Sequence, residues 1–197
     1  ISAMKKWIWI AVAAVVVLGA FWFYRTYNRF VRMDEEVKNA WAQVETQYQR
    51  RSDLIPNLVN TVKGYAAHER ETLEGVIEAR AKATSVNLSV DELTPATMAE
   101  FQQAQEGVRS ALGRLLVVAE RYPDLKANQN FQELQAQLEG TENRIAVARE
   151  RFNTTVRAYN VSVRRFPAVI IAGMFGFDQK PYFQADEKAQ QAPVVEF

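Results

Sequence analysis

The sequence predicts an all-α chain: an N-terminal single transmembrane helix, then an antiparallel four-helix bundle, then an irregular C-terminal tail. Three observations carry this. Residues 7–24, WIWIAVAAVVVLGAFWFY, are eighteen residues without a charge. From residue 30 to 166, apolar side chains recur at steps of three and four, the spacing of one helix face. Nothing in that region alternates apolar and polar residues as a half-buried strand would.

The uncharged stretch meets the usual threshold for a spanning helix and is long for a signal-peptide core. Trp7 and Trp9 lie at one end, and Phe21, Trp22, Phe23 and Tyr24 at the other, where the two water–lipid interfaces favour aromatic rings. Cleavage near Ala20 would place the large Leu18 in the recognition site, so a retained anchor over residues 1–27 is expected. Lys5 and Lys6 precede the stretch, while Arg25, Arg29 and Arg32 follow it. This near balance gives the positive-inside rule little to act on.

Beyond the anchor, the first apolar set is Phe30, Met33, Val37, Trp41, Val44 and Tyr48. The second runs Leu54, Ile55, Leu58, Val62, Tyr65, Leu73, Val76, and the third Met98, Phe101, Val108, Leu112, Leu115, Val118. In the fourth, Phe131, Leu138, Ile145, Phe152, Tyr159 and Phe166 recur every seven residues, beside the mostly small column Leu134, Thr141, Ala148, Thr155, Ser162. Large against small is how close antiparallel helices interdigitate. SVNLSVDELTP (85–95) is a loop, with Thr94 and Pro95 suited to a cap and first helical position. RYPDLKANQN (121–130) is a second break, and Pro167 ends the last helix.

The stretch QYQRRSDLIPNLV (47–59) asks whether Pro56 opens a helix or kinks one. An interior proline costs about 3 kcal/mol, whereas a first-turn proline loses no bond. With Ser52 or Asp53 as cap and Arg50 and Arg51 at the end of the preceding helix, RRSD reads as a corner. Four helices follow, roughly 28–51, 53–86, 95–121 and 128–166, within a bundle domain 28–167 and ahead of a tail 168–197. The alternative is one helix running through Pro56, which the unbroken heptad register across it favours.

NAWAQVETQYQRRSDLIPNLVNTVKGYAAHERETLEGVIEARAKA (39–83) and TENRIAVARERFNTTVRAYNVSVRRFP (141–167), with the closing MFGF and KPYF, resemble the LemA family over nearly the whole chain. The resemblance implies a bacterial membrane-anchored helical bundle and no established enzymatic activity. The Met4-Lys5-Lys6 start ahead of an apolar run looks like an uncut export signal. Together these favour a single-pass protein of the bacterial inner (cytoplasmic) membrane with its bundle outside the cytoplasm.

Composition excludes several chemistries. With no cysteine in 197 residues, a thiolate nucleophile, a Cys-based zinc site and a disulfide framework are absent. The net charge of +1 gives no global field to recruit nucleic acid. His68 is the single histidine, so the paired Glu-x-x-His of a di-iron bundle and the two histidines of a zinc-protease motif are missing. HERETL around His68 resembles a phosphoacceptor box, but Leu73 stands where that box has proline, and no glycine-rich nucleotide-binding boxes follow. On helix two, His68 reads first as a surface or satisfied histidine.

Glu45, Arg50, Arg51, Asp53, His68, Glu69, Glu142, Arg144 and Arg149 are the charged or titratable residues within the LemA-like motifs, and most suit solvated faces. Asn39, Asn57, Asn143, Asn153 and Asn160 need another reason, since asparagine is a poor helix former. Buried register-fixing hydrogen bonds are one reason; a partner-facing polar surface is another. No cofactor or metal is expected. The expected function is a non-catalytic, membrane-tethered scaffold or adaptor, sitting in the lipid bilayer and binding other envelope proteins or copies of itself as a homo-oligomer or larger complex. The alternatives are a phosphotransfer protein using His68 and a lipid-binding, membrane-organising protein acting through its anchor and basic collar.

Overall fold

The computed structural model describes residues 2–184, with side chains from residue 5 onward. Helix α1 runs Ser2–Tyr65, α2 Arg70–Ser85, α3 Pro95–Ala119, α4 Pro123–Lys126, α5 Gln129–Arg164 and α6 Ala168–Phe175, with a 3-10 turn at Val90–Glu92. Among the described residues there is no strand. The chain divides into two compact units. One comprises Ile1–Asn39 and Thr154–Lys180; the other comprises Ala40–Asn153 and Pro181–Phe197.

The second unit holds the four-helix bundle. Ile55, Leu58, Val59 and Val62 from α1, Leu73, Val76 and Ala83 from α2, and Ala104, Val108, Ala111, Leu112 and Leu115 from α3 share one buried cluster with Leu125, Phe131 and Leu138. The directions follow from paired positions. Ser52 on α1 meets Arg80 on α2 across the turn at 66–69, and Arg51 meets Glu142 while Gln43 meets Arg151. Numbers that rise on one helix as they fall on its neighbour mean antiparallel packing. Trp41 is ringed by Phe101, Phe152 and Phe183 at centroid distances of 5.3, 5.4 and 5.8 Å. Such aromatic pairs add about 0.5–1.5 kcal/mol each beyond the area they bury.

The loop signals fall where expected. Thr94 Oγ1 accepts the Thr97 N–H at 3.1 Å and Pro95 is the first residue of α3. Ser89 and Glu92 form a second reciprocal pair, in which the Ser89 N–H reaches Glu92 Oε2 at 2.9 Å and holds that carboxyl below its ordinary range. Asn128 Oδ1 accepts the Phe131 N–H at 3.0 Å and opens α5.

The corner expected at RRSD is absent: α1 continues through Pro56 to Tyr65. Asp53 caps nothing and instead accepts from Gln49 Nε2 at 2.8 Å. The reason is tertiary. A proline in a helix frees the carbonyl four residues earlier, here that of Ser52. Arg80 Nε donates to that carbonyl at 3.0 Å and to Ser52 Oγ at 3.1 Å. The orphan acceptor is thus satisfied from α2 and the helix need not break. The true corner lies at residues 66–69, where the Glu69 N–H binds the Ala66 carbonyl at 3.0 Å. The Glu69 carboxylate accepts from Tyr122 Oη at 3.1 Å and lies 3.3 Å from Arg121 Nη2. His68 therefore sits exposed in a turn rather than on helix two.

In the first unit, residues 5–25 of α1 are all exposed, and they contain one segment long and apolar enough to cross a membrane. Phe30, Val37, Val156, Tyr159, Val163, Ile171 and Ala172 are buried. The sevenfold column is buried from Phe131 to Tyr159, but Phe166 is 83% exposed. Helix α5 ends at Arg164, so residue 166 has left the helical register, and Val163 takes the core position. The apolar start of the tail is the helix α6, ending at Gly176 with φ of 72°, a left-handed cap that suits glycine. The tail residues 185–197, with Pro193, Val194, Val195 and Phe197, lie outside the described residues.

Candidate functional site

Within the bundle unit, a cleft of about 630 Å³ opens between α1, the end of α2 and α3. Ile55, Phe101 and Val108 give it an apolar floor, and Glu45, Thr46, Arg50 and Arg80 give it a polar wall. Helix α1 supplies most of that wall because Glu45, Gln49 and Ser52 recur at helical spacing on one side of it. Arg50 is exposed, whereas Arg51 is 2% exposed.

Arg51 is the best-bonded charge of the site. Its Nη1 donates to Glu142 Oε1 at 3.0 Å, and its Nη2 donates to the Gln105 carbonyl at 2.9 Å and to Gln105 Oε1 at 2.6 Å. The guanidinium also lies 5.0 Å from the Tyr48 ring centre. A buried guanidinium is tolerable only when its donors are used in this way. It ties α1, α3 and α5 together and is not held in reserve for a ligand. Glu45 differs: burial raises its carboxyl pKa, and the neighbouring Trp41 indole pulls it only partly back. Trp41 Nε1 itself donates to the Leu88 carbonyl at 3.1 Å, fastening the 85–94 loop over the cleft's edge.

A second, polar recess of about 350 Å³ lies between α1 and α5, lined by Asn57, Asn60, Thr61, Asn130, Glu133 and Gln137. Asn39, Asn143 and Arg144 are exposed and belong to neither recess. Among the described residues, no group of three or more histidine, aspartate or glutamate side chains is placed to hold a metal ion. What the cleft offers is donors and acceptors above an apolar floor.

Two of the asparagines hold the tail. In the bundle unit, Asn153 Oδ1 accepts the Phe183 N–H at 2.8 Å while its Nδ2 donates to the Phe183 carbonyl at 2.9 Å. Arg149 donates to the Gln184 carbonyl at 2.9 Å and lies over the Phe183 ring at 5.0 Å. In the other unit, Asn160 Oδ1 accepts the Lys180 N–H at 2.9 Å and its Nδ2 donates to the Lys180 carbonyl at 2.8 Å. Each asparagine pairs with one residue's amide and carbonyl, as a neighbouring strand would. Lys180 Nζ lies 3.3 Å from Asp34 Oδ1. Tyr159, beneath it, has its phenol pKa raised by burial first and then by Asp34 and Asp178. The anchor aromatics Trp7, Trp9, Phe21, Trp22, Phe23 and Tyr24 are all exposed on α1.

Sequence reasoning did not single out Arg80 or Gln105. Each acts on a residue at least 28 positions away, and neither is marked by local composition. The asparagines did carry a signal: each follows a core aromatic directly, Phe152–Asn153 and Tyr159–Asn160, seven residues apart.

Known proteins are similar to this chain over most of its length. Magnetosome protein MamQ 2 of Paramagnetospirillum magneticum is 28% identical over 203 aligned residues, covering 94% of this chain and 74% of that protein. Magnetosome protein MamQ of Magnetospirillum gryphiswaldense is 27% identical, covering 92% of this chain and 74% of its own length. Protein LemA of Metamycoplasma hominis is 25% identical over 175 residues, 88% of this chain and 76% of its own. The model of the LemA family matches residues 40–197, which include the whole bundle unit and the tail segment held by Asn153 and Asn160. The chain belongs to the LemA family.

Proposed function

We propose that this protein is a non-catalytic adaptor, held in a bacterial membrane by residues 7–24, whose bundle binds other envelope proteins or further copies of itself. The observation that carries the reading is that one helix, α1, contains both the fully exposed apolar segment and, from Ala40, a wall of the LemA-family bundle. The polar residues singled out from the sequence support the non-catalytic part. Arg51, Glu69, Glu142, Asn153 and Asn160 spend their hydrogen bonds on this chain's own side chains and backbone. The cleft beside Thr46 and Arg50 is the surface proposed for the partner, its exposed guanidinium suiting a carboxylate of the incoming segment.

The test is photo-crosslinking in native membranes. A photoreactive residue at Thr46, in the full-length protein, is expected to give a discrete adduct of defined mass. The same residue at Glu139, exposed on α5 and outside the cleft, is expected to give none. Equal, diffuse labelling from both positions would contradict a dedicated docking surface.

A further inference from the structure

We propose that α6 is a second membrane-contacting element, its outer face lying in lipid at the boundary between headgroups and acyl chains beside the end of the span. The inference rests on reading residues 7–24 as that span. Helix α6 is AVIIAGMF, eight residues without a charge or a polar side chain. It buries Ile171 and Ala172 against its own unit and leaves Ile170 56% and Met174 68% exposed. Those two lie four residues apart on one helix face; Val169 is exposed in the same helix and Phe166 is exposed just before it. Left in water, such a patch is an aggregation liability.

Lipid is the occupant because the patch adjoins the lipid-facing surface. The Phe175 ring packs edge-on against Phe23 at 5.8 Å and Tyr27 at 4.9 Å. Phe23 is the penultimate residue of the uncharged stretch, whose side chains are all exposed. Charges border the patch: Arg25 and Arg29 follow the span, and Arg164 and Arg165 precede α6, positions that suit lipid phosphates. The backbone also fits. The Val169 and Ile170 N–H groups bind the Arg165 and Pro167 carbonyls at 2.7 and 3.1 Å, and the Phe177 N–H binds the Ala172 carbonyl at 3.0 Å. Two first-turn amides and the Ala172 carbonyl are thereby satisfied within the chain, and a position among the headgroups leaves the remaining end groups within reach of water. At about 1.5 Å per residue, α6 is roughly 12 Å long, far short of a ~30 Å hydrocarbon core. It therefore lies within one leaflet.

The absence of native cysteine makes the test direct. Ile170→Cys and Met174→Cys, each labelled with an environment-sensitive fluorophore, are reconstituted as full-length protein in phosphatidylcholine vesicles containing a minority of phosphatidylglycerol. Val16→Cys marks the span and Arg157→Cys, exposed on α5, marks water. Labels at 170 and 174 are expected to follow 16, with quenching by spin-labelled acyl chains several-fold stronger than by iodide, and 157 the reverse. Iodide quenching at 170 and 174 equal to that at 157 overturns the proposal. So does shielding from both quenchers, which would mean a protein covers α6. If 16 lies in lipid while 170 and 174 do not, only α6 has been misread; if 16 is itself in water, the span reading falls as well.

Discussion

Arg51 is charged, almost fully buried, and bonded to Gln105 and Glu142. A cation removed from water is held by such bonds with little net gain, but deleting one partner is costly because the others stay behind. Glu45 stands in the opposite position, with its pKa raised by burial. A carboxyl that binds its proton more tightly when folded adds stability below its ordinary value of 4.5, and that stability is lost as pH rises through the raised value. Glu45→Gln is therefore expected to raise the midpoint of thermal unfolding at pH 7 and to leave it nearly unchanged at pH 4. An equal shift at both pH values would mean burial is not the cause. Phe152 and Phe166, both in the sevenfold column, separate core from surface. Phe152→Ala is expected to cost about 3–5 kcal/mol in denaturant unfolding, and Phe166→Ala less than about 0.5 kcal/mol. The column's burial was legible in the sequence through its period. The loss of Phe166 was not, because it depends on where α5 stops, and helix ends are set within a residue or two by local bonds.

The course of α1 is the element the sequence misplaced. Every residue of RRSD has a local reason to form a corner, yet α1 runs on because Arg80 satisfies the carbonyl that Pro56 frees. Local signals price the broken bond but cannot see a donor arriving from another helix. Glu69, held by Tyr122 and Arg121, marks the actual corner by the same kind of distant contact. A double-mutant cycle isolates this. Arg80→Ala is expected to cost about 1–2 kcal/mol in the native sequence. In a Pro56→Ala background it should cost about 1 kcal/mol less, because residue 56 then offers Ser52 an amide of its own. Purely additive effects would show that Arg80 acts elsewhere. The tail is partly legible: Asn153 and Asn160 stood out as poor helix formers in need of a partner, and KPYF contains both residues they hold, Lys180 and Phe183. That this partner was the chain's own backbone could not be read from side-chain periodicity.

For the whole molecule, the all-α class was legible through a membrane-length apolar run and a sustained helical period, and the family through the long motifs at 39–83 and 141–167. The cleft was not, because its walls come from α1, α2 and α3, which are brought together by the corner at 66–69 and the connection at 86–94. Association is the claim on which the adaptor reading stands. The span offers Ala11, Ala13, Ala14, Gly19 and Ala20 but no GxxxG, and lipid tails are as apolar as its valines, so the span by itself supplies little drive to pair. On the adaptor reading, the bundle supplies it. The most direct measurement is native mass spectrometry of the full-length protein extracted from its own membranes in polymer-bounded lipid discs. The account predicts species at multiples of the single-chain mass, or the chain bound to another protein, and lowered abundance of those species in Arg50→Glu. A single species at the mass of one chain after subtraction of lipid would contradict it.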